Sequence, residues 1–216
     1  MNVLVIGATG RTGRHVVRLA LNEGHHVTVF VRSPEKLYRP QTGVKIVRGD
    51  ALDATAIQNL IYHNSYDSLV LVVGADSLKC STVRGDITKN VVKSLEQKNA
   101  STRIWVVSSA GTNESINQLG FFSKTFVNTI LKGQILDHKN QENIVRESSL
   151  PFTIVRPVGL RDTPPDSAEK YMILENGRVA TTSISRVNVA DFIIKNLDNP
   201  AYLQKAVTLC AVSDKD

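Results

Sequence analysis

The chain begins MNVLVIGATGRTGRHVVRLAL. A short apolar run meets Gly7, Gly10 and Gly13 and passes into a helical pattern whose apolar face is Val16, Val17, Ala20 and Leu21. A strand, a glycine turn and a helix in that order constrain the fold more than any other stretch. The unit sets a helix N-terminus, with its unpaired N–H groups and positive dipole end, just beyond a strand, where the pyrophosphate of a dinucleotide can sit. Gly7 then makes the tight turn, Gly10 admits the phosphates close to the backbone, and Gly13 lets the helix pack on the strand. The spacing is GxxGxxG, not the commoner GxGxxG, so the flanking strand over 2–6 and the helix carry as much weight as the glycines.

The next expected strand, over 26–31, ends at Arg32, with Ser33 and Lys36 just beyond. Sites for NAD usually place an acid here to accept hydrogen bonds from the ribose hydroxyls, and that acid would repel a 2′-phosphate. Arg32 instead offers a planar fork of donors suited to phosphate, with Ser33 and Lys36 as further donors. The cofactor expected is NADP(H).

Strand and helix patterns alternate along the rest of the chain, which predicts an α/β fold with a doubly wound, mostly parallel sheet covered on both faces. Further strands are expected over 44–47, 68–73, 103–107, 152–155 and 206–211. Helices are expected over 53–62, 82–97, 135–147 and from Asn188 to Leu197, the last opened by a capping pair of Asn188 and Asp191. The Asn176-Gly177 dipeptide between apolar runs 171–174 and 179–183 predicts a two-residue hairpin. At 216 residues one domain is expected, with a small substrate lobe from about 111–134 and 157–185.

Composition excludes several classes. The first apolar run is short, has no basic leader and is consumed by the glycine turn, so it does not read as a signal peptide, and no stretch is long enough to span a membrane. Cys80 and Cys210 have no metal or redox spacing and read as free thiols in a reducing cytoplasm. The net charge of +6 is dispersed and aromatics make up 6%. That pattern suggests a positive field around a site for anionic ligands, not a nucleic-acid partner.

A parallel sheet of this kind binds its ligand beyond the carboxyl ends of its strands. The candidate site is therefore Gly7 to Thr12, Arg32, Asp50, Ala51 and Leu52, Val73, Gly74, Ala75 and Asp76, Ser108, Ser109 and Ala110, and Arg156, Pro157, Val158 and Gly159. Asp50 suits adenine, and Gly74 lets the main chain pass close to the adenosine ribose. Asp50 and Ser109 each have an alternative role as helix caps.

The stretches GATGRTG, VFVRSPEK, IVRGDALD, VVSSAG, HKNQENIVRESSL, FTIVRPVGL and ISRVNVADF together resemble the atypical short-chain dehydrogenase/reductase group. Within it they are similar to the NADPH-dependent flavin reductase/biliverdin-IXβ reductase family, nearly from end to end. The resemblance implies a single-domain Rossmann fold, with Thr9, Gly10, Arg11 and Thr12 on the phosphates and Arg32, Ser33 and Lys36 on the 2′-phosphate. It places Ser109 and His138 near the nicotinamide. Pro157-Val158-Gly159 stands where relatives acting on bilins carry Pro-Pro-His, which leaves bilin reduction unassigned. A monomer or homodimer is expected.

Most of the larger superfamily protonates a reduced carbonyl with a Tyr-xxx-Lys pair. None of Tyr38, Tyr62, Tyr66, Tyr171 or Tyr202 has a Lys four residues on. The remaining candidates are His138, whose ordinary pKa suits a proton relay near neutrality, and Glu142 on the same helical face. A flavin, quinone or bilin-like acceptor spreads the incoming charge over many atoms and has little need of a dedicated acid. Phe121, Phe122 and Phe126 could wall such an acceptor on one side, or serve as packing, with Arg161 and Thr163-Pro164-Pro165 on the other. The alternative class is a non-catalytic NADP(H)-sensing regulator of the NmrA-like type.

Overall fold

The computed structural model describes residues 1–37, 43–74, 81–164 and 169–212. The strands in chain order are β1 (Asn2–Ile6), β2 (His26–Val31), β3 (Val44–Arg48), β4 (Ser68–Leu71), β5 (Arg103–Val107), β6 (Phe152–Pro157), β7 (Gly159–Arg161), β8 (Tyr171–Leu174), β9 (Ser183–Ser185) and β10 (Lys205–Ala211). The helices are α1 (Arg11–Asn22), α2 (Ala54–Tyr62), α3 (Val83–Gln97), α4 (Phe121–Thr129), α5 (Lys132–Glu147) and α6 (Arg186–Lys195). Eight strands form one sheet in the order β3-β2-β1-β4-β5-β6-β10-β8. Every pairing is parallel except that of β8 with β10. The order reverses between β1 and β4, and the expected doubly wound α/β sheet is the structure seen.

The period of two along the strands sorts side chains into two cores. Val3 and Val5 of β1, Val70 of β4 and Trp105 of β5 face α1 and α6, meeting Val16, Ala20, Val189 and Phe192. Leu4 and Ile6, Leu69 and Leu71, and Ile104 and Val106 face α2, α3 and α5, meeting Ile57, Ile61, Val91 and Val145. The central strands are apolar on both sides, as burial on both faces requires.

Two glycines are fixed by close approach. Gly7 has φ +97°, and a Cβ there would lie 2.4 Å from the Val72 carbonyl oxygen; a Cβ on Gly13 would lie 2.2 Å from the Gly7 oxygen. The turn is thus a tight junction of β1, β4 and α1.

Three expectations need correction. Gly177 does turn the chain, with φ +88°, but the runs on either side do not pair. β8 adds antiparallel to the free edge of β10, while β9 covers 183–185 and pairs with β7 in a separate two-stranded sheet. The turn chemistry is local, whereas the open edge that captures β8 is supplied by a strand more than thirty residues on. Secondly, α6 starts earlier than expected: Ser185 is its N-cap and accepts from the Asn188 N–H at 3.2 Å. Asn188 instead donates to the Glu169 carbonyl and Asp191 accepts from the Tyr171 hydroxyl. Thirdly, β4 closes at Leu71, inside the expected run over 68–73.

Candidate active site

The β1 turn closes through a bond from the Gly10 N–H to the Gly7 carbonyl at 3.0 Å. Gly10 is the N-cap of α1; no side chain caps this end, and its first turn carries no acid. The neighbouring helix starts are filled differently. Asp53 accepts from Thr55 and Ala56 at the start of α2. Asp137, reaching across from α5, accepts from the Arg84 and Gly85 N–H groups at the start of α3 at 3.2 and 3.0 Å. The α1 terminus is left open to an external anion.

It opens on a cleft of about 960 Å³ at the carboxyl ends of the strands. Gly7, Thr9, Gly10, Arg32, Asp50, Ala51, Val73 and Gly74 all line it, so the cleft brings together eight of the expected cofactor residues. Arg32 is exposed at the end of β2. Asp50 is not a helix cap, since Asp53 holds that place; one Asp50 oxygen accepts from the Leu52 N–H at 3.0 Å. The residues present fit a dinucleotide: an uncapped helix terminus for a pyrophosphate, a carboxylate two strands away for a base, and a guanidinium between them.

Other expected residues lie off this lining. Thr12 and Gly13 are buried in the first turn of α1. Arg11 is exposed and pairs with Asp162 at 2.9 Å, and Asp162 also binds Arg186 at 3.0 Å. Ser33 and Lys36 bound the short 3-10 turn Pro34–Lys36 after β2. Ser109 is half-buried and donates to the Ala110 carbonyl at 3.2 Å, so it caps no helix. Pro157 ends β6. Ala75 and Asp76, like Tyr38, Cys80 and Pro165, lie outside the described residues.

The sequence reading missed the fourth wall of the cleft, from Gly133, Leu136, Asp137 and Asn140 of α5. Their i, i+3, i+4, i+7 spacing was the available signal. The adjacent face of the same helix carries His138, Gln141, Glu142 and Val145, which are buried.

That buried face changes the reading of three residues. Glu142, fully buried, takes a two-pronged bond from Arg156 at 2.9 and 2.5 Å, one from Ser108 Oγ at 2.6 Å and one from Asn113 at 2.8 Å. The third arm of Arg156 binds Glu114 at 2.8 Å. Desolvation pushes the Glu114 carboxyl up, but the Arg156 bond, a backbone N–H and the charges of Arg156 and Arg146 outweigh it and bring it to about 2. The Ser108 side chain is therefore committed to the network that ties the end of β5 to α5 and β6.

His138 is the further correction. Burial, reinforced by the Arg84 charge and only partly opposed by a bond with Gln141, pushes its pKa down to about 3. The ring is neutral throughout the physiological range and does not titrate near neutrality as its ordinary value suggested. The unfolded chain takes up this proton near 6.5 and the folded chain only near 3, so below 6.5 the unfolded state holds more protons. Stability is expected to fall as pH drops through that window, by up to roughly 1.4 kcal/mol per pH unit. In denaturant titrations across this range, His138→Gln should have a shallower pH slope than the parent; equal slopes would contradict the burial argument.

Phe121, Phe122 and Phe126 are 77%, 87% and 52% exposed, and none lines the cleft. No helix among the described residues is long and apolar enough to cross a membrane, and Cys210 is a buried free thiol.

A nucleotide-binding Rossmann protein is the class that this sheet and cleft define. A family model described as NAD(P)H-binding matches residues 7–200, and the chain belongs to that family. Its cofactor is accordingly a nicotinamide dinucleotide. Solved structures share the fold. ChuY, an anaerobilin reductase of Escherichia coli O157:H7, is 24% identical with a TM-score of 0.80, covering 100% of both chains. A short-chain dehydrogenase/reductase of Veillonella parvula in complex with NADP is 18% identical with a TM-score of 0.78, covering 99% of this chain and 95% of its own. A Streptococcus pneumoniae protein assigned as an NADH-flavin reductase is 19% identical with a TM-score of 0.74, covering 98% and 99%.

Proposed function

We propose that this protein is an NADPH-dependent reductase that passes hydride to a flavin, quinone or similar conjugated small molecule. The observation that carries the reading is the uncapped α1 terminus facing the cleft, with Arg32 at the position where NAD-binding units carry an acid. Bound there, the cofactor supplies a hydride; the chain's own part is to hold the two flat partners in register and exclude water. The Gly10 turn and the N–H groups of α1 hold the pyrophosphate. Arg32, with Ser33 and Lys36, holds the 2′-phosphate. Asp50 and Ala51 border the adenine, and Val73 and Gly74 the ribose beside it. Ser109 and the neutral His138 help set the nicotinamide, and the proton that completes reduction comes from solvent.

The acceptor side is the lobe of 111–134 and 157–185. Gln118 supports treating these segments as one unit: its amide donates to the Glu175 carbonyl, its own carbonyl accepts from the Val179 N–H, and its Oε1 accepts from Thr208. The likeness to flavin and anaerobilin reductases supports a conjugated acceptor. Tyrosines fit the reading as well: Tyr66 is buried with its hydroxyl pushed up by desolvation, and Tyr171 is bound to Asp191, so neither offers an easily ionised acid.

Arg32→Ala is expected to weaken NADPH binding by roughly 10- to 100-fold, the loss of one charge-assisted phosphate bond of about 1.5–3 kcal/mol, while leaving NADH nearly unchanged. Calorimetric titration of both cofactors checks this, and an unchanged NADPH-to-NADH ratio would sink the preference. His138→Ala and Ser109→Ala should each lower turnover modestly, well short of the ~10²–10⁴-fold expected for loss of a general acid. Turnover measured across pH at saturating NADPH decides between the two.

A further inference from the structure

We infer that Asp162 is a positioning residue for the cofactor: from the acceptor-side lobe it holds the Arg11 guanidinium beside the glycine turn, in competition with the pyrophosphate. Residues 1–22 contain no acid, yet α1 starts on Arg11 with Arg14 one turn on, and α6 starts on Arg186. Neither helix has an acid in its first turn. Each therefore sets a cation against the positive end of its own dipole, an arrangement that costs stability. The counter-ion comes from elsewhere. Asp162, just past β7, accepts from Arg11 Nη1 at 2.9 Å through one oxygen and from Arg186 Nη1 at 3.0 Å through the other.

The two arms differ in exposure, and that decides which one yields. The Arg186 side chain is 10% exposed, whereas those of Arg11 and Asp162 are 67% and 56% exposed. Arg186 therefore anchors the carboxylate, and the Arg11 pair is a solvated one of the kind that contributes little to stability. Desolvation raises the Asp162 carboxyl, but the charges of Arg186 and Arg11 and their bonds outweigh it and hold the group below its usual value, so it stays ionised. Arg11 follows directly on Gly10, which lines the cleft, and yet Arg11 does not line it. A pyrophosphate on the Gly10 turn brings two negative charges to the foot of Arg11 and repels Asp162. It takes the guanidinium from Asp162, and breaking that pair offsets part of its binding. Asp162 thus lowers affinity for the dinucleotide and eases release of the oxidised form.

This role rests on the cofactor site proposed above. The test is calorimetric titration of NADPH and NADH into the parent, Asp162→Asn, Arg11→Gln and the double variant. Asp162→Asn keeps an oxygen for Arg186 and is expected to bind both cofactors roughly 3- to 10-fold more tightly, because both carry the same pyrophosphate. In the Arg11→Gln background the same substitution should change affinity by less than about twofold. In turnover, KM for NADPH should fall with Asp162→Asn while kcat does not rise, a split that loss of structure would not produce. Both substituted side chains are exposed, so melting temperatures should match the parent's. Unchanged or weaker binding by Asp162→Asn overturns the proposal. So does tightening of the same size in the Arg11→Gln background, which would mean that the carboxylate acts on the cofactor directly and not through Arg11. Failure of the cofactor site itself reads differently: Arg32→Ala would then leave the NADPH-to-NADH ratio unchanged.

Discussion

Glu142→Ala is expected to lower the melting temperature by roughly 6–20 °C, the consequence of losing about 3–5 kcal/mol in a chain of this size. Its carboxylate is fully buried and accepts from Arg156 twice, from Ser108 and from Asn113. Truncation strands a guanidinium whose side chain is 3% exposed, and leaves Glu114 as its remaining ion-pair partner. The pair as a whole contributes far less than its removal by halves costs, because desolvation of both ions offsets most of their attraction. Glu142→Leu/Arg156→Met should therefore recover a large part of the loss. A thermal shift within a degree or two for the single variant would mean that the network is not built as described. The same network predicts that Glu114, held near 2, contributes stability that is fully present above about 4.5 and is lost as pH falls towards 2.

The second large effect is at the turn. Gly10 has φ −71° and ψ 161°, an extended conformation open to any residue, and a Cβ there would meet only the Gly7 oxygen, at 3.2 Å. Gly10→Val should fold with a small local adjustment. Its methyl groups would occupy the approach to the α1 N–H groups, and NADPH binding is expected to weaken by roughly 100-fold or more, as for the loss of one or two charge-assisted bonds. Calorimetry alongside circular dichroism separates the two effects. By contrast, Gly13→Ala would press a methyl group to 2.2 Å from a backbone oxygen, so its loss of binding would come with loss of structure.

The contrast between those glycines marks what the sequence can disclose. The strand–turn–helix signal is local, and alternating Val3/Leu4 and Val5/Ile6 already encode a strand buried on both faces. Arg32 and Asp50 were legible because a parallel sheet sends every strand end to one edge. Pairings set by distant chain were not legible. Nothing near Tyr171–Leu174 says that β10 leaves an edge free, and the strands 159–161 and 183–185 are too short to show a period. Ser185 and Asn188 are both good capping types, and only the start of the helix decides between them. The neutral state of His138 depends on burial beside Arg84 from another helix, which no spacing within α5 reports. The position of Asp137 at the start of α3 is likewise a tertiary fact.

The central claim is that the cleft turns NADPH over and does not merely sense it. The most direct measurement is an anaerobic single turnover, in which the protein loaded with NADPH is mixed with a flavin or a soluble quinone and nicotinamide oxidation and acceptor reduction are followed together. The account predicts one acceptor reduced for each NADPH consumed by the parent, and no reaction above background with Gly10→Val. NADPH that binds tightly yet stays reduced against flavins, quinones and bilins alike would contradict it and make the protein a nucleotide-sensing regulator.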